Sequence, residues 1–284
     1  MLTARFYGVR GSTPCSCDDT RRFGGNTSCV LVSVPGERPI IIDLGTGLRY
    51  LGADLLSGAV PSGGDSFMGT ALVSHLHWDH IQGTPFFRPL LTAGASLEII
   101  GPRQVDGSIA EAFRSCICPP VFPVPIDLLP GSISFRDVSN ERFAIGSATV
   151  TAFDVPHVGP TNGYRIDVGT ASLAYVSDHQ QPMDGSLDVP DEVVEACAGV
   201  DILVHDAQYS NEEFAKRTDW GHCTPEFALA LALGCGARRL VLFHHDPAHD
   251  DAWVQATVER IQDAAGHACQ VLGGAEGLTL ISGC

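Results

Sequence analysis

The sequence predicts a layered α+β protein folded as one domain over residues 1–284. Three observations carry that expectation. Short runs rich in β-branched and aromatic residues alternate with longer helical runs. Several of the β runs stop abruptly on a polar residue, which places that residue at one edge of a sheet. No repeat, low-complexity tract or linker divides the chain, so strands and helices are expected to pack as layers around a shared interior.

Strands are expected over 29–34, 40–43, 70–74, 96–100, 148–153, 172–177, 202–205 and 240–243, where Val, Ile, Leu, Phe and Tyr dominate. Glycine-rich turns at Gly24-Gly25-Asn26, Gly45-Thr46-Gly47 and Gly273-Gly274 punctuate them. Helices are expected over 191–198, 224–233 and 252–264. The second opens with Thr224-Pro225-Glu226, a capping residue followed by proline at the first helical position. The abrupt stops are specific: Ile42 runs into Asp43, Val73 into Ser74 and His75, Val176 into Ser177 and Asp178, and Phe243 into His244.

Composition narrows the function. Hydrophobic residues make up 44% of the chain and charged ones 18%, too apolar a balance for disorder. The formal charge of -16 repels a phosphate backbone over long range, so a large RNA partner is disfavoured while a small anionic substrate at a metal site is not. No apolar run approaches the roughly 20 residues that span a bilayer, so no membrane partner is expected. Met1-Leu2-Thr3-Ala4-Arg5-Phe6 lacks the basic start and apolar stretch of a secretory signal, and the reading is a cytoplasmic protein whose ten cysteines are reduced thiols. Cys15-x-Cys17 and Cys116-x-Cys118 lack the two-residue gap of a structural zinc signature. Oligomeric state is left open, a homodimer included.

The chemistry concentrates in His75-Leu76-His77-Trp78-Asp79-His80, three imidazoles and a carboxylate within six residues of one another after an apolar strand. Alternation lets His75 and His77 point to one side and chelate one ion, while Asp79 and His80 turn toward a neighbouring position. Imidazole and carboxylate donors suit zinc, manganese or iron.

This run resembles the signature of the metallo-β-lactamase superfamily, and later landmarks follow in that family's order. They are His157 in Phe153-Asp154-Val155-Pro156-His157, Asp178 in Tyr175-Val176-Ser177-Asp178, and His244 in Leu242-Phe243-His244-His245. Asp43-Leu44-Gly45-Thr46-Gly47 is similar to the family's early turn, which supports the site from behind. The resemblance implies an αββα sandwich. It also implies two divalent ions, zinc before manganese or iron, one held by His75, His77, His157 and Asp178 and the other by Asp79, His80, Asp178 and His244. Asp178 then bridges, and a water shared by the ions supplies hydroxide near neutral pH. His244 is preferred to His245 because it directly closes the apolar strand.

Val200-Asp201-Ile202-Leu203-Val204-His205-Asp206-Ala207 and Gly221-His222-Cys223-Thr224 resemble paired motifs of the tRNase Z-like and cyclic phosphodiesterase branch. The resemblance makes His222, beside Asp79, a catalytic general acid toward the leaving oxygen; the plainer reading has it cap the helix at Thr224. His205 and Asp206 are candidates for orienting a ligand. The stretch from Gly101 to Arg136 is short and holds few basic residues, unlike the RNA-gripping arm of the tRNA-processing enzymes. The expected function is therefore a phosphodiesterase for a small or cyclic phosphate ester. Lactone or thioester hydrolysis on the same ions, and a non-catalytic metal-binding role, are the rivals. The turns Arg10-Gly11-Ser12-Thr13-Pro14 and Gly24-Gly25-Asn26-Thr27-Ser28 either meet a phosphate or serve as plain turns. Phe86, Phe87, Val121, Phe122 and Val124 either line the pocket mouth or belong to the core, the safer reading being core.

Overall fold

The chain enters its first sheet at once, because Leu2, Ala4 and Phe6 alternate with half-buried Thr3 and Arg5 in the period of a strand. A computed structural model describes residues 1–283; Cys284 lies outside the described residues. The strands are β1 (Leu2–Gly8), β2 (Cys29–Ser33), β3 (Ile40–Ile42), β4 (Met68–Leu72), β5 (Ser96–Pro102), β6 (Ser132–Val138) and β7 (Arg142–Ile145). They continue with β8 (Ala148–Asp154), β9 (Asn162–Val168), β10 (Ala171–Val176), β11 (Ile202–Asp206), β12 (Arg239–Phe243), β13 (Gln270–Gly273) and β14 (Thr279–Ser282). They form two seven-stranded sheets, ordered β14-β1-β2-β3-β4-β5-β6 and β13-β12-β11-β10-β9-β8-β7. In the first, β3 to β6 run parallel; in the second, β10 to β13 do.

The two sheets stack face to face. Phe6, Val30, Val32, Ile42 and Leu72 of the first meet Val150, Ile166, Tyr175, Val204 and Phe243 of the second in a shared buried cluster. Each such side chain contributes about 1.5–3 kcal/mol by leaving water. The helices are α1 (Leu48–Ser57), α2 (Trp78–Ile81), α3 (Ile109–Cys116), α4 (Asp191–Ala196), α5 (Asn211–Phe214), α6 (Pro225–Cys235) and α7 (Asp251–Ala265). Leu48, Leu51 and Leu55 of α1, with Ile109 and Phe113 of α3, cover the outer face of the first sheet. Val193 of α4, Ala228, Leu231 and Ala232 of α6, and Ile261 and Ala265 of α7 cover that of the second. The result is the expected αββα sandwich.

All eight expected strands are present, with ends displaced by one or two residues. β4 is shifted by two residues at both ends and stops on Leu72, so that Val73 and Ser74 already leave the sheet toward the site. The three expected helices are α4, α6 and α7. Thr224 caps α6, its hydroxyl accepting from Phe227 N at 3.3 Å. The six remaining strands include the sheet edges β6, β7, β13 and β14, whose mixed polar faces give a weak apolar signal. Phe87 is core, whereas Phe86, Val121 and Val124 are exposed and Phe122 is half-buried. No helix among the described residues is long and apolar enough to cross a membrane.

Candidate metal centre

Four strand ends deliver the site. The loop after β4 carries His75 and His77 and passes Asp79 and His80 into α2. His157 follows β8, Asp178 follows β10 and His244 follows β12. The first group belongs to one sheet and the rest to the other, so the site lies on the seam of the sandwich. His75, His77, His157 and Asp178 form one cluster of donor atoms; Asp79, His80 and His244 form a second; Asp178, His222 and His244 a third. Within each, the ligand atoms lie within 4.8 Å of one another.

Asp178 stands between the clusters with one oxygen for each. Its Oδ2 is 3.6 Å from His75 Nε2 and 3.8 Å from His157 Nε2. Its Oδ1 is 3.2 Å from His80 Nε2 and 3.4 Å from His244 Nε2. Asp79 Oδ2 lies 3.2 Å from His80 Nε2 and 3.1 Å from His244 Nε2.

The surroundings fix which ring nitrogen faces inward. His80 Nδ1 bonds Asp43 Oδ2 at 2.8 Å, His157 Nδ1 bonds the Gly221 carbonyl at 2.7 Å, and His244 Nδ1 bonds Gln208 Oε1 at 2.8 Å. With each Nδ1 donating to an oxygen, each Nε2 turns a lone pair into the site. The consequence is visible: His80 Nε2 and His244 Nε2 face each other at 3.1 Å, and His77 Nδ1 faces His157 Nε2 at 3.2 Å. His75 Nε2 is buried with no hydrogen-bond partner. Converging lone pairs and two carboxylates call for a cation between them, and imidazole with carboxylate is the donor set of a divalent transition metal. The residues fit the group.

Electrostatics agree. Burial pushes the His75, His77 and His157 imidazoles down, His157 to about 4, so all three are neutral near pH 7, as ligands must be. For Asp79 and Asp178, burial acts upward, but the facing imidazoles outweigh it and hold both carboxyls below their usual range. His80 goes the other way. Burial opposes its charge, yet Asp79, Asp178 and Asp43 draw its value up, so the carboxylates around this position favour positive charge there.

Asp43 is the hub behind the site. It sits past β3 at φ 59, a left-handed conformation rare outside glycine. Its carboxylate accepts from Ser74 N at 2.7 Å, Ser74 Oγ at 2.9 Å and Tyr175 OH at 2.7 Å, besides His80. His244 takes the same left-handed turn after β12, also at φ 59. That turn brings His244 into the site, whereas His245 Nε2 meets the Gly274 carbonyl at 3.0 Å outside the ligand clusters.

His222 is no helix cap, because the Thr224 hydroxyl fills that role. Its Nδ1 is 3.1 Å from Asp206 Oδ2 and 3.7 Å from Asp178 Oδ2, and its ring stacks on that of His244 with centroids 5.0 Å apart. Burial disfavours the charged ring, but Asp206 and its hydrogen bond outweigh burial and raise the value. Asp206 therefore orients His222. His205 is placed elsewhere, its Nε2 2.9 Å from His179 Nδ1 and its Nδ1 bonded to the Asp206 carbonyl. Gly221 is required beside His157, since a Cβ there would lie 2.4 Å from the ring.

Two supports escape a reading by residue type. Gln208 fixes His244, yet glutamine carries no metal signature. The backbone N–H of Ser12 donates to Asp79 Oδ2 at 2.8 Å, and no side-chain pattern announces a backbone donor. That amide is therefore engaged by the protein, and Thr27 N likewise bonds Thr46 Oγ1 at 2.9 Å. The nine described cysteines are free, and among the described residues none joins a cluster of three metal donors.

Known proteins resemble this chain in the same terms. Residues 40–245 match the family described as Beta-lactamase superfamily domain. Ribonuclease Z of Haloferax volcanii is 26% identical over 288 aligned positions, which cover 86% of this chain and 84% of that protein. The metallo-beta-lactamase fold protein YhfI from Bacillus subtilis superposes with a TM-score of 0.73 at 18% identity, covering 99% of each chain. A diphosphatase from the PhnP family gives a TM-score of 0.72 at 18% identity, covering 99% of this chain and 98% of that one. At such identity the structural likeness speaks for the fold alone.

Proposed function

Because the chain belongs to the β-lactamase superfamily, whose domain it matches over residues 40–245, we propose that it is a metal-dependent hydrolase cleaving small phosphodiesters. His75, His77, His157 and Asp178 would hold one divalent ion, and Asp79, His80, His244 and Asp178 a second, zinc being the best fit to this donor set. When bound, two such ions polarise the phosphate, offset the charge that builds on its oxygens and make water nucleophilic at neutral pH.

The observation that carries the phosphodiester reading is the His222–Asp206 pair. Asp206 accepts from Nδ1 at 3.1 Å, which keeps the ring in one orientation and raises its affinity for a proton. With Nδ1 held by Asp206, the buried ring has Nε2 left to carry a proton to a departing alkoxide, beside the His244 ring on which it stacks. Asp79 orients, its Oδ2 lying between His80, His244 and the Ser12 amide. Trp78, Val158 and Trp220, each next to or two residues from a site histidine, are exposed around it.

The Haloferax relative's name favours a second reading, cleavage of RNA. Against it stands the formal charge of -16. The segment between β5 and β6 also folds down, with Ile109, Phe113, Ile117 and Ile126 buried against the first sheet. Its only basic residues are Arg103 and Arg114, and Arg114 pairs with Asp127 at 2.8 Å, leaving little free positive charge.

The test is elemental analysis of the purified protein followed by turnover of matched substrates with added zinc or manganese. Two ions per chain and fastest hydrolysis of a small phosphodiester are expected. Fastest cleavage of a precursor tRNA would establish the second reading, and activity confined to lactones or thioesters would overturn both.

A further inference from the structure

Arg10 is fully buried, and its side-chain hydrogen bonds all go to backbone carbonyls. Nε donates to Gly24 O at 2.7 Å, and Nη1 to Asp246 O at 3.1 Å and to His249 O at 2.6 Å. Buried guanidinium groups are normally matched by carboxylates, so this one serves to tie segments together. Those segments converge on one half of the metal centre. The Asp246–His249 turn begins two residues after His244, and Gly24 lies in the turn whose Asn26 carbonyl accepts from Arg10 N at 2.9 Å.

Around Arg10 the backbone continues the same stitching. Gly11 N donates to His245 O at 3.0 Å and His245 N to Val9 O at 3.0 Å, locking the strand exit that carries His244. Gly11 has no room for a side chain, since a Cβ would lie 2.4 Å from His244 Nδ1. The next residue, Ser12, holds φ 61, and from that left-handed position its N–H reaches Asp79 Oδ2. Its hydroxyl accepts from Gln208 Nε2 at 3.2 Å, and Gln208 in turn fixes His244. Asp79 and His244, the two donors secured this way, belong to the same cluster with His80.

The geometry points to Arg10 and the Ser12 amide as a positioning latch that sets the affinity of the second metal, resting on the two-ion reading above. The amide fixes the rotamer of Asp79 and occupies one lone-pair direction on Oδ2. Arg10 holds the left-handed turn that presents this amide and holds it in register with His244. The His75, His77 and His157 cluster makes no contact with the latch through these bonds. Loss of a hydrogen bond behind a metal ligand lowers metal affinity by about 10- to 100-fold, and here the loss should fall on one ion only.

Calorimetric titration of metal-free protein with zinc tests this without reference to catalysis. The unsubstituted protein should bind in two steps. Arg10→Lys, which cannot reach the same three carbonyls, should weaken the weaker-held or second-cluster step by about 10- to 100-fold and spare the other. Ser12 is solvent-exposed, so Ser12→Val, a β-branched residue that resists φ 61, should act alike without endangering the fold. Ser12→Gly keeps the amide and accepts that backbone, losing only the Gln208 contact, and should hold the second ion more tightly than Ser12→Val does. Unchanged titrations in folded Ser12→Val, or equal weakening of both steps, would overturn the latch. A single zinc step in the unsubstituted protein would instead overturn the two-ion reading.

Discussion

Of the two halves of the metal centre, the one formed by His75, His77 and His157 keeps an exposed member in His77, whereas Asp79, His80 and His244 are all buried. Their supports differ in the same sense. In the open half, His75 leans on the adjacent Ser74 hydroxyl at 3.1 Å and His157 on a single carbonyl. In the enclosed half, His80 rests on Asp43, His244 on Gln208 and Asp79 on Ser12, each far away in the chain. The open half suits access by substrate. The enclosed half suits fixed geometry, because buried polar groups with every partner supplied have little freedom to relax.

Asp178 belongs to both halves, and its removal should cost most. Asp178→Ala is expected to abolish or scramble both metals by elemental analysis. Turnover of any accepted ester should fall by about 10^4-fold or more, since each ion contributes several kcal/mol and 1.36 kcal/mol is tenfold. Retention of two tightly held ions would break the comparison, because the halves would then not share a ligand.

His244 belongs only to the enclosed half. His244→Ala should leave one metal per chain and lower turnover by roughly a thousandfold, the share of a single ion. His245→Ala should keep both metals, since that ring bonds the Gly274 carbonyl instead. The reverse ranking in a metal assay would mean that the other imidazole closes the site.

His222 supports a proton and need not bind metal, so its loss should be the smallest. His222→Ala should retain both ions and slow an alkyl phosphodiester by roughly a hundredfold, the lower range for a positioned acid. A nitrophenyl diester, whose leaving group is stable as an anion, should suffer clearly less. The pH profile sharpens the assignment. Asp206 raises His222, so Asp206→Asn should lower it. The protonated acid then disappears sooner as pH rises, and the alkaline limb of kcat should move to lower pH. Equal losses on both diesters, with an unmoved limb, would take His222 out of proton transfer.

The open half was the more legible in sequence, for a physical reason. Its ligands advertise themselves by type and spacing, as in His75-x-His77, and β10, which ends just before the shared Asp178, is buried along its whole length. The enclosed half was legible in its ligands and in Asp43, but not in Gln208 or Ser12. A glutamine among second-layer residues has no period or motif, and a backbone amide has no residue type at all. Asp206 was legible as an orienting group without its target, because the sequence does not say which imidazole lies across from it. His205, beside it in the same motif, instead pairs with His179. In the fold, α1 was missed because no side chain caps its start and Gly52 interrupts its apolar stripe.

Tyr175 reaches from β10 across the interior to Asp43 in the opposite sheet, and Tyr164 reaches from β9 to the Val73 carbonyl at 2.7 Å. Both bolts lie just beneath the ligands, and each half of the centre takes ligands from both sheets. The placement of the two donor clusters relative to each other is therefore set by how the sheets are registered on each other, deep in the sandwich, and the loops only inherit it. A slip of one sheet along the other would stretch both coordination shells together. Metal binding would then favour the clamped sandwich, and occupancy of the centre would report on how firmly the two layers are held together.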